Sequence, residues 1–193
     1  DISARVRAPD GSVGLLSIEA KSRLEPKGVS DVAARGRELA ARSKPATLVA
    51  ASAYLGPSTR ERLRSFGLGF IDLTGNVLVS MSRPGLFIEA AGATRSPDRE
   101  SRPARSLRGT KTGRIVRALV DRRSPPGVRE LASMTGTDAG YVSRVLAFLD
   151  SEALVTRGKR GRIETVAWPR LLRRWAVESP LDSRGTIRRY LEP

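Results

Sequence analysis

The chain opens with alternating apolar and polar positions and then becomes more continuously apolar. Residues 2–7 alternate, residues 13–20 are largely apolar, and a Pro-Asp-Gly turn at 9–11 separates the two segments. Alternation with a period of two is typical of a half-buried strand, and a short apolar run bounded by turn residues is typical of a buried one. The first twenty residues are therefore predicted to form two strands.

The pattern between residues 30 and 94 predicts two helices and four further strands. Helical spacing of apolar residues favours helices over 30–42 and 58–66, with Ser30 as the N-cap of the first and Gly67 ending the second. Short apolar runs favour strands at 46–51, 70–72, 76–80 and 86–90. The predicted order β-β-α-β-α-β-β-β indicates an α/β domain with a mixed sheet over residues 1–94.

The second half of the chain has a helical pattern that follows a polar, basic connection. Residues 95–111 are rich in Pro, Gly, Ser and Arg, which predicts a flexible basic linker. Beyond it, apolar spacing favours three helices, at 112–123, 128–134 and 138–150, with turn residues between them. Residues 112–176 are predicted to form a second, mainly α domain, followed by a tail or short helix at 177–193.

The last predicted helix of this domain, at 168–176, is amphipathic. Its apolar side is predicted to contain Trp168, Leu171, Leu172 and Trp175, and its other side is rich in arginine. We expect the apolar side to pack against the rest of the domain, and a dimer contact is the alternative.

Charge indicates the class of partner. The chain has 193 residues with 35 basic and 20 acidic side chains, a net charge of +15. Residues 95–193 alone carry 22 basic and 11 acidic side chains. Such an excess favours a polyanion as partner, with nucleic acid first and an acidic membrane surface second.

The residue types that are absent exclude several chemistries. The chain has no cysteine and no histidine, which excludes disulfides, zinc sites with Cys or His ligands, thiol nucleophiles and Ser-His-Asp triads. No apolar run approaches the roughly 18 residues of a membrane span. We expect a cytoplasmic protein that makes no membrane contact, and a piece of a longer chain, since it begins with Asp.

Residues 128–154 have the spacing of a helix-turn-helix, with a Gly-containing turn at 135–137. Apolar residues recur at helical spacing on the third helix, at Val142, Val145, Leu146 and Leu149, and Thr137 is its expected N-cap. The opposite face then presents Tyr141, Ser143 and Arg144. Side chains at these positions of the motif reach base edges in the major groove, so Arg144 is the expected base reader.

A basic hairpin is predicted directly after that helix. Two short apolar segments within 155–166 flank a turn whose four basic residues are Arg157, Lys159, Arg160 and Arg162. The segment 153–163 (ALVTRGKRGRI), following the third helix, resembles the winged helix-turn-helix of bacterial transcriptional regulators. The resemblance implies sequence-specific binding of double-stranded DNA, with helix 138–150 in the major groove and the wing 155–166 on the backbone or in the minor groove.

The same resemblance implies partners and a set of contact residues. A homodimer would bind two half-sites about one DNA turn apart. The expected DNA-binding residues are those of the turn, the third helix and the wing: Thr137, Tyr141, Ser143, Arg144, Arg157, Lys159, Arg160 and Arg162. The alternative interpretation is a three-helix domain whose basic hairpin makes protein contacts.

The first two strands carry an acidic and basic pattern of their own. Asp1 begins the first predicted strand, and Glu19-Ala20-Lys21 ends the second. This spacing resembles the PD-(D/E)XK nuclease-like fold, also called restriction-endonuclease-like. The resemblance implies that Asp1 and Glu19 would hold a magnesium-type ion and that Lys21 would complete the catalytic set. A magnesium-dependent DNA nuclease targeted by the winged helix is therefore the alternative function, and a surface ion-pair ladder is the alternative role of Glu19 and Lys21.

A third motif lies in Asp72-Leu-Thr-Gly75-Asn76, between two predicted strands. It is similar to a motif of AbiEi-type antitoxin regulators, although in that family the winged helix precedes this domain. The similarity implies an antitoxin-type repressor with a toxin-like protein partner or a small ligand. The other interpretation is a hairpin turn in which Gly75 and Asn76 adopt positive φ.

Overall fold

The computed structural model describes residues 2–42, 46–97, 106–122 and 124–180. The chain divides into two compact units, Asp1–Glu100 and Ser101–Pro193. Residues 98–105 of the predicted linker lie outside the described ranges. No helix within those ranges is long and apolar enough to cross a membrane.

Six strands of the first unit form one mixed sheet. They are β1 Ile2–Arg7, β2 Val13–Lys21, β3 Thr47–Ser52, β4 Gly69–Asp72, β5 Val77–Met81 and β6 Leu86–Ala90. The order across the sheet follows the chain, with β2, β3 and β4 parallel and the outer pairs antiparallel. The predicted mixed α/β architecture is confirmed, and so is the predicted order of its elements.

Two helices, α1 Val29–Arg42 and α2 Pro57–Ser65, pack with the sheet around a buried cluster that includes Val32, Leu63 and Phe70. Removing a large apolar side chain of this kind from water stabilises the fold by about 1.5–3 kcal/mol. The cluster therefore fixes both helices beside the carboxyl ends of the parallel strands.

The two helix termini predicted in this unit have different outcomes. The predicted N-cap is wrong, because α1 begins at Val29 after a turn of 3-10 helix, and the Ser30 hydroxyl donates a hydrogen bond to the Lys27 carbonyl oxygen at 3.1 Å. The predicted end of α2 is confirmed. Gly67 has a φ of 68° and its N–H donates to the Arg64 carbonyl oxygen at 2.9 Å, in the left-handed conformation that glycine adopts without strain.

The second unit combines four helices with a two-stranded hairpin. In chain order these are α3 Thr110–Val120, α4 Val128–Thr135, α5 Ala139–Ser151, β7 Val155–Arg157, β8 Ile163–Val166 and α6 Trp168–Glu178. One buried cluster takes residues from every element, including Ile115, Leu131, Leu146, Ile163 and Leu171. The hairpin and the helices therefore share a single core.

Helix α6 packs on this core with only part of its predicted apolar side. Leu171 is fully buried and Trp175 packs against the cluster. Trp168 is 59% exposed, so its predicted place on the inner side is wrong. Trp168 is the first residue of α6, one turn before Leu171, and its ring extends beyond the core.

Candidate functional site

The turn between α4 and α5 fixes where the exposed end of α5 begins. Gly136 ends α4 with a φ of 58°, and the Thr137 N–H donates to the Ala132 carbonyl oxygen at 3.0 Å. The left-handed conformation disfavours any residue with a Cβ, so glycine suits this position. The tight reversal predicted for residues 135–137 is confirmed.

Asp138, and not Thr137, caps α5. The Asp138 carboxylate accepts a hydrogen bond from the Tyr141 N–H at 3.0 Å, which satisfies one of the free donors of the first turn. The Thr137 hydroxyl donates instead to the Thr135 carbonyl oxygen at 3.2 Å, and Thr137 is only 8% exposed. The role predicted for Thr137 as cap is therefore wrong, because its side chain is directed into the turn, and its predicted DNA contact stays a prediction that this buried side chain does not favour.

The predicted inner stripe of α5 is confirmed, and it defines the outer face. Four residues at helical spacing are almost completely buried: Val142, Val145, Leu146 and Leu149. The exposed positions are Ala139, Gly140, Arg144 and Ala147, and Ser143 is half-buried. Arg144 is thus the long polar side chain on a face that is otherwise formed by small residues, so a flat surface can approach the backbone of α5 closely.

The side chain of Tyr141 makes its contacts within the second unit. Its hydroxyl lies 2.7 Å from the hydroxyl of Thr112, a buried residue in the first turn of α3. The ring of Tyr141 is half-buried, and the Arg144 Cζ lies 5.8 Å from its centroid. This is within the roughly 6 Å at which a guanidinium and an aromatic face attract each other. Thr112, Tyr141 and Arg144 therefore contact one another in sequence. The sequence analysis predicted the last two as DNA-binding residues but not Thr112.

The hairpin after α5 is fixed to that helix by backbone contacts. The Leu154 N–H donates to the Leu149 carbonyl oxygen at 2.8 Å, and the Arg157 N–H donates to the Asp150 carboxylate at 3.2 Å. Val155 and Ile163 are each 3% exposed and belong to the same core as α5. The position of the hairpin is therefore set relative to the exposed face of α5.

The tip of the hairpin is basic and open to solvent. Lys159 and Arg162 are exposed, and within the described ranges neither pairs with a carboxylate. Arg157 is half-buried, and its Nε donates to the Gly161 carbonyl oxygen at 3.4 Å, so this residue also braces the turn. The Arg160 side chain lies outside the described parts of the structure.

Comparisons with protein-family models, with curated proteins and with solved structures find no match to this chain. The resemblances to winged helix-turn-helix regulators, to PD-(D/E)XK nucleases and to AbiEi-type antitoxins remain predictions. What the candidate sites can bind is therefore judged from the contacts of their own side chains.

The predicted nuclease residues form an ion-pair cluster. Glu19 is 4% exposed, and its Oε1 lies 3.0 Å from Lys21 Nζ and 2.9 Å from Arg35 Nη1. The strand places Glu19 and Lys21 on one face as predicted, and α1 adds Arg35, which the sequence pattern did not indicate. Asp1 lies outside the described residues, so the predicted pairing of Asp1 with Glu19 is not tested.

The described residues around Glu19 do not supply a ligand set for a magnesium-type ion. Such ions take several carboxylate and carbonyl oxygens as ligands, whereas Glu19 is the one predicted ligand in the described ranges and two cationic side chains share its Oε1. Asp72, at the end of β4, uses both carboxylate oxygens for internal hydrogen bonds. Among the described residues, no three His, Cys, Asp or Glu side chains are grouped as metal ligands would be.

The Asp72-Leu-Thr-Gly-Asn76 motif forms a buried hydrogen-bond network. One oxygen of Asp72 accepts from the N–H and hydroxyl of Thr74 at 2.9 and 2.7 Å, and from the Asn76 N–H at 3.0 Å. The other accepts from the Leu55 N–H at 3.0 Å and from the Asn76 amide at 2.8 Å. The motif therefore connects the β4–β5 turn to the segment before α2.

Asn76 extends the network to the segment after β6. Its Oδ1 accepts from the Gly92 N–H at 2.9 Å and from Arg60 of α2, and its Nδ2 donates to the Ala93 carbonyl oxygen at 3.1 Å. The prediction of positive φ is confirmed for Gly75, at 91°, but is wrong for Asn76. Asn76 is fully buried, and its side chain explains its position in the turn.

The network also sets the ionisation of Asp72. Burial is the largest single effect and by itself raises the pKa of the carboxyl. The hydrogen bonds from Thr74, Leu55 and Asn76 together outweigh it, and the pKa of Asp72 lies below its ordinary value of 3.8. The Asp72 carboxyl is therefore ionised at neutral pH, and both of its oxygens accept hydrogen bonds.

Proposed function

We propose that this chain is a sequence-specific double-stranded DNA-binding transcriptional regulator. Its second unit acts as a winged helix-turn-helix, with α5 in the major groove and the β7–β8 hairpin on the backbone or in the minor groove. The observation that carries the proposal is the exposed face of α5, where Arg144 stands among small residues. A guanidinium in this position matches the two acceptors of a guanine edge.

The hairpin supplies the complementary, sequence-independent part of binding. Lys159 and Arg162 are exposed and have no carboxylate partner within the described ranges. Cations of this kind neutralise phosphates and release condensed counterions, which makes affinity depend on salt. Because the hairpin and α5 share one core, phosphate contacts at the tip would hold α5 in a defined register on the duplex.

The first unit has a supporting role in this proposal. We assign it a restriction-endonuclease-like fold that serves dimerisation, so that two copies of α5 contact half-sites about one DNA turn apart. The Glu19–Lys21–Arg35 cluster is assigned a structural role. We do not propose that this unit cleaves DNA, because the described residues around Glu19 do not supply a ligand set for a magnesium-type ion.

A retention experiment with sheared genomic DNA tests the proposal. The full chain is titrated into the fragments at low and at near-physiological salt, each with and without Mg²⁺, and both retention and fragment length are scored. The proposal predicts that a small set of intact fragments stays bound at the higher salt. Uniform retention that disappears at the higher salt would contradict it, and shortened fragments only with Mg²⁺ would favour the nuclease alternative.

A pair of arginine variants makes the same experiment residue-specific. Arg144→Ala should relax the preference at one base position, and so weaken the selection among fragments, while the chain still binds DNA at low salt. Arg117→Ala is the matched control, because Arg117 is an exposed arginine of the same unit that pairs with Asp121 on α3. Equal loss of selection in both variants would contradict the assignment of Arg144.

A further inference from the structure

We infer that Tyr141 is a positioning residue for Arg144, and that its ring, which also contacts α3 through the Thr112 hydroxyl, sets base preference without itself contacting DNA. This inference rests on the proposed DNA binding and names the groups that orient the base-contacting side chain. It differs from the sequence prediction, in which Tyr141 is itself a DNA-binding residue.

The hydroxyl of Tyr141 is already used inside the protein. It lies 2.7 Å from the Thr112 hydroxyl, and Thr112 is 2% exposed in the first turn of α3. The hydroxyl end of the ring is therefore held at α3. A ring held in this way cannot turn outward to a phosphate without leaving a buried hydroxyl unpaired.

The guanidinium of Arg144 lies over the fixed ring. Its Cζ is 5.8 Å from the ring centroid, and among the described residues no carboxylate pairs with it. The guanidinium thus lies over the ring, and among the described residues no hydrogen-bond acceptor pairs with its N–H donors. A guanine edge requires two parallel N–H donors in a defined plane, so a guanidinium oriented in advance loses less freedom on binding.

Gly140 leaves space beside the guanidinium of Arg144. A methyl group at this position would place its carbon 3.6 Å from Arg144 Nη1 and 2.9 Å from the capping Asp138 Oδ1. Because the second distance is closer than a normal contact, the Asp138 carboxylate would have to move, whereas the distance to Arg144 is an ordinary contact. Gly140 therefore lies directly beside the guanidinium of Arg144, near the start of α5.

Selection of bound sequences from a random duplex pool tests this role in the full chain. The wild type is expected to prefer guanine at one position of its site. Tyr141→Leu should lower that preference by about 10-fold and leave the other positions and the low-salt affinity for the unselected pool unchanged. Tyr141→Phe keeps the ring and should retain most of the preference. The double variant with Arg144→Ala should be no worse than Arg144→Ala alone.

A measurement on the free protein separates positioning from packing. The side-chain Nε–Hε signal of Arg144, assigned by its absence in Arg144→Ala, should be shifted by the ring current in the wild type and in Tyr141→Phe. It should return to the position of a solvent-exposed arginine in Tyr141→Leu.

The outcomes distinguish this inference from the proposed function. A wild-type preference that Tyr141→Leu leaves intact would overturn the inference alone. A uniform loss of affinity at all base positions in Tyr141→Leu, additive with Arg144→Ala, would also overturn it and would make Tyr141 a DNA contact. A wild-type chain without any base preference would remove the proposed function together with the inference.

Discussion

The Asp72 carboxylate accepts a hydrogen bond from the Asn76 side-chain amide at 2.8 Å, and both groups are buried. The other end of the amide accepts from the Gly92 N–H at 2.9 Å. The β4–β5 turn is therefore tied to the segment that follows β6, where a side chain at Gly92 would collide with the Thr74 carbonyl oxygen. This arrangement explains the Asp-Leu-Thr-Gly-Asn motif as a fold-stabilising network.

Asn76→Ala is expected to destabilise the first unit by about 3 kcal/mol. The change removes one donor from the buried Asp72 and the partner of the half-buried Gly92 N–H and Ala93 carbonyl, and an unpaired group costs roughly 1–3 kcal/mol when it is buried and less when water reaches it. Urea unfolding followed by circular dichroism measures the difference. Leu73→Ala is the control, because Leu73 lies in the same turn but is 88% exposed and should change stability by less than about 0.5 kcal/mol. Equal effects of the two variants would contradict the network.

Asp72→Asn should reduce the acid sensitivity of the first unit. The pKa of Asp72 is lower in the folded protein than its ordinary value of 3.8, so its ionised form stabilises the fold above that value. This contribution is lost as the pH falls from 3.8 through the folded-state pKa. Unfolding free energies measured between about pH 2 and 6 should fall less steeply in the variant, which is also less stable at neutral pH. An identical acid slope in both proteins would contradict the assignment.

The two cations beside Glu19 should substitute for each other. Lys21→Met and Arg35→Met are each expected to cost about 0.5–1 kcal/mol, because the remaining cation still pairs with the carboxylate and both cations are partly exposed. The double variant leaves a buried charge without a partner and should cost about 3 kcal/mol or more. Chemical unfolding of the four proteins completes a double-mutant cycle. If the loss of stability in the double variant equalled the sum of the two single losses, the prediction would be contradicted, because each cation would then act on Glu19 independently.

The hairpin tip should govern salt dependence and not sequence preference. Lys159→Ala and Arg162→Ala are each expected to reduce the slope of log affinity against log salt by about 0.9, the value for one lost phosphate contact. The preferred sequence should stay the same. Arg5→Ala, an exposed change on β1 of the first unit, serves as the control and should leave the slope unchanged. A changed base preference in Lys159→Ala would contradict the assignment of the tip.

The sequence predicted elements well wherever apolar periodicity was strong. The stripe from Val142 to Leu149 is buried as expected, since a helix that lies on a core must place residues at i, i+3, i+4 and i+7 inward. Helix ends were predicted less well. Thr137 and Asp138 are both good caps and adjacent in sequence, and the left-handed Gly136 before them decides which one is placed at the start of α5.

Contacts between distant residues could not be derived from local patterns. Thr112 and Tyr141 are 29 positions apart, and only the packing of α3 against α5 brings their hydroxyls together. Arg35 likewise reaches Glu19 across the interface between α1 and β2. Composition and spacing identified Arg144 as the expected base reader, whereas its supporting residues became visible only with the fold.

The central claim is sequence-specific binding, and the ratio of two dissociation constants tests it most directly. The duplex enriched from genomic fragments is compared with a shuffled duplex of the same composition, by fluorescence anisotropy at about 0.15 M salt. The account predicts that the enriched duplex binds at least about 10³-fold more tightly. A ratio close to one would contradict it and would leave a basic protein that binds DNA through charge alone.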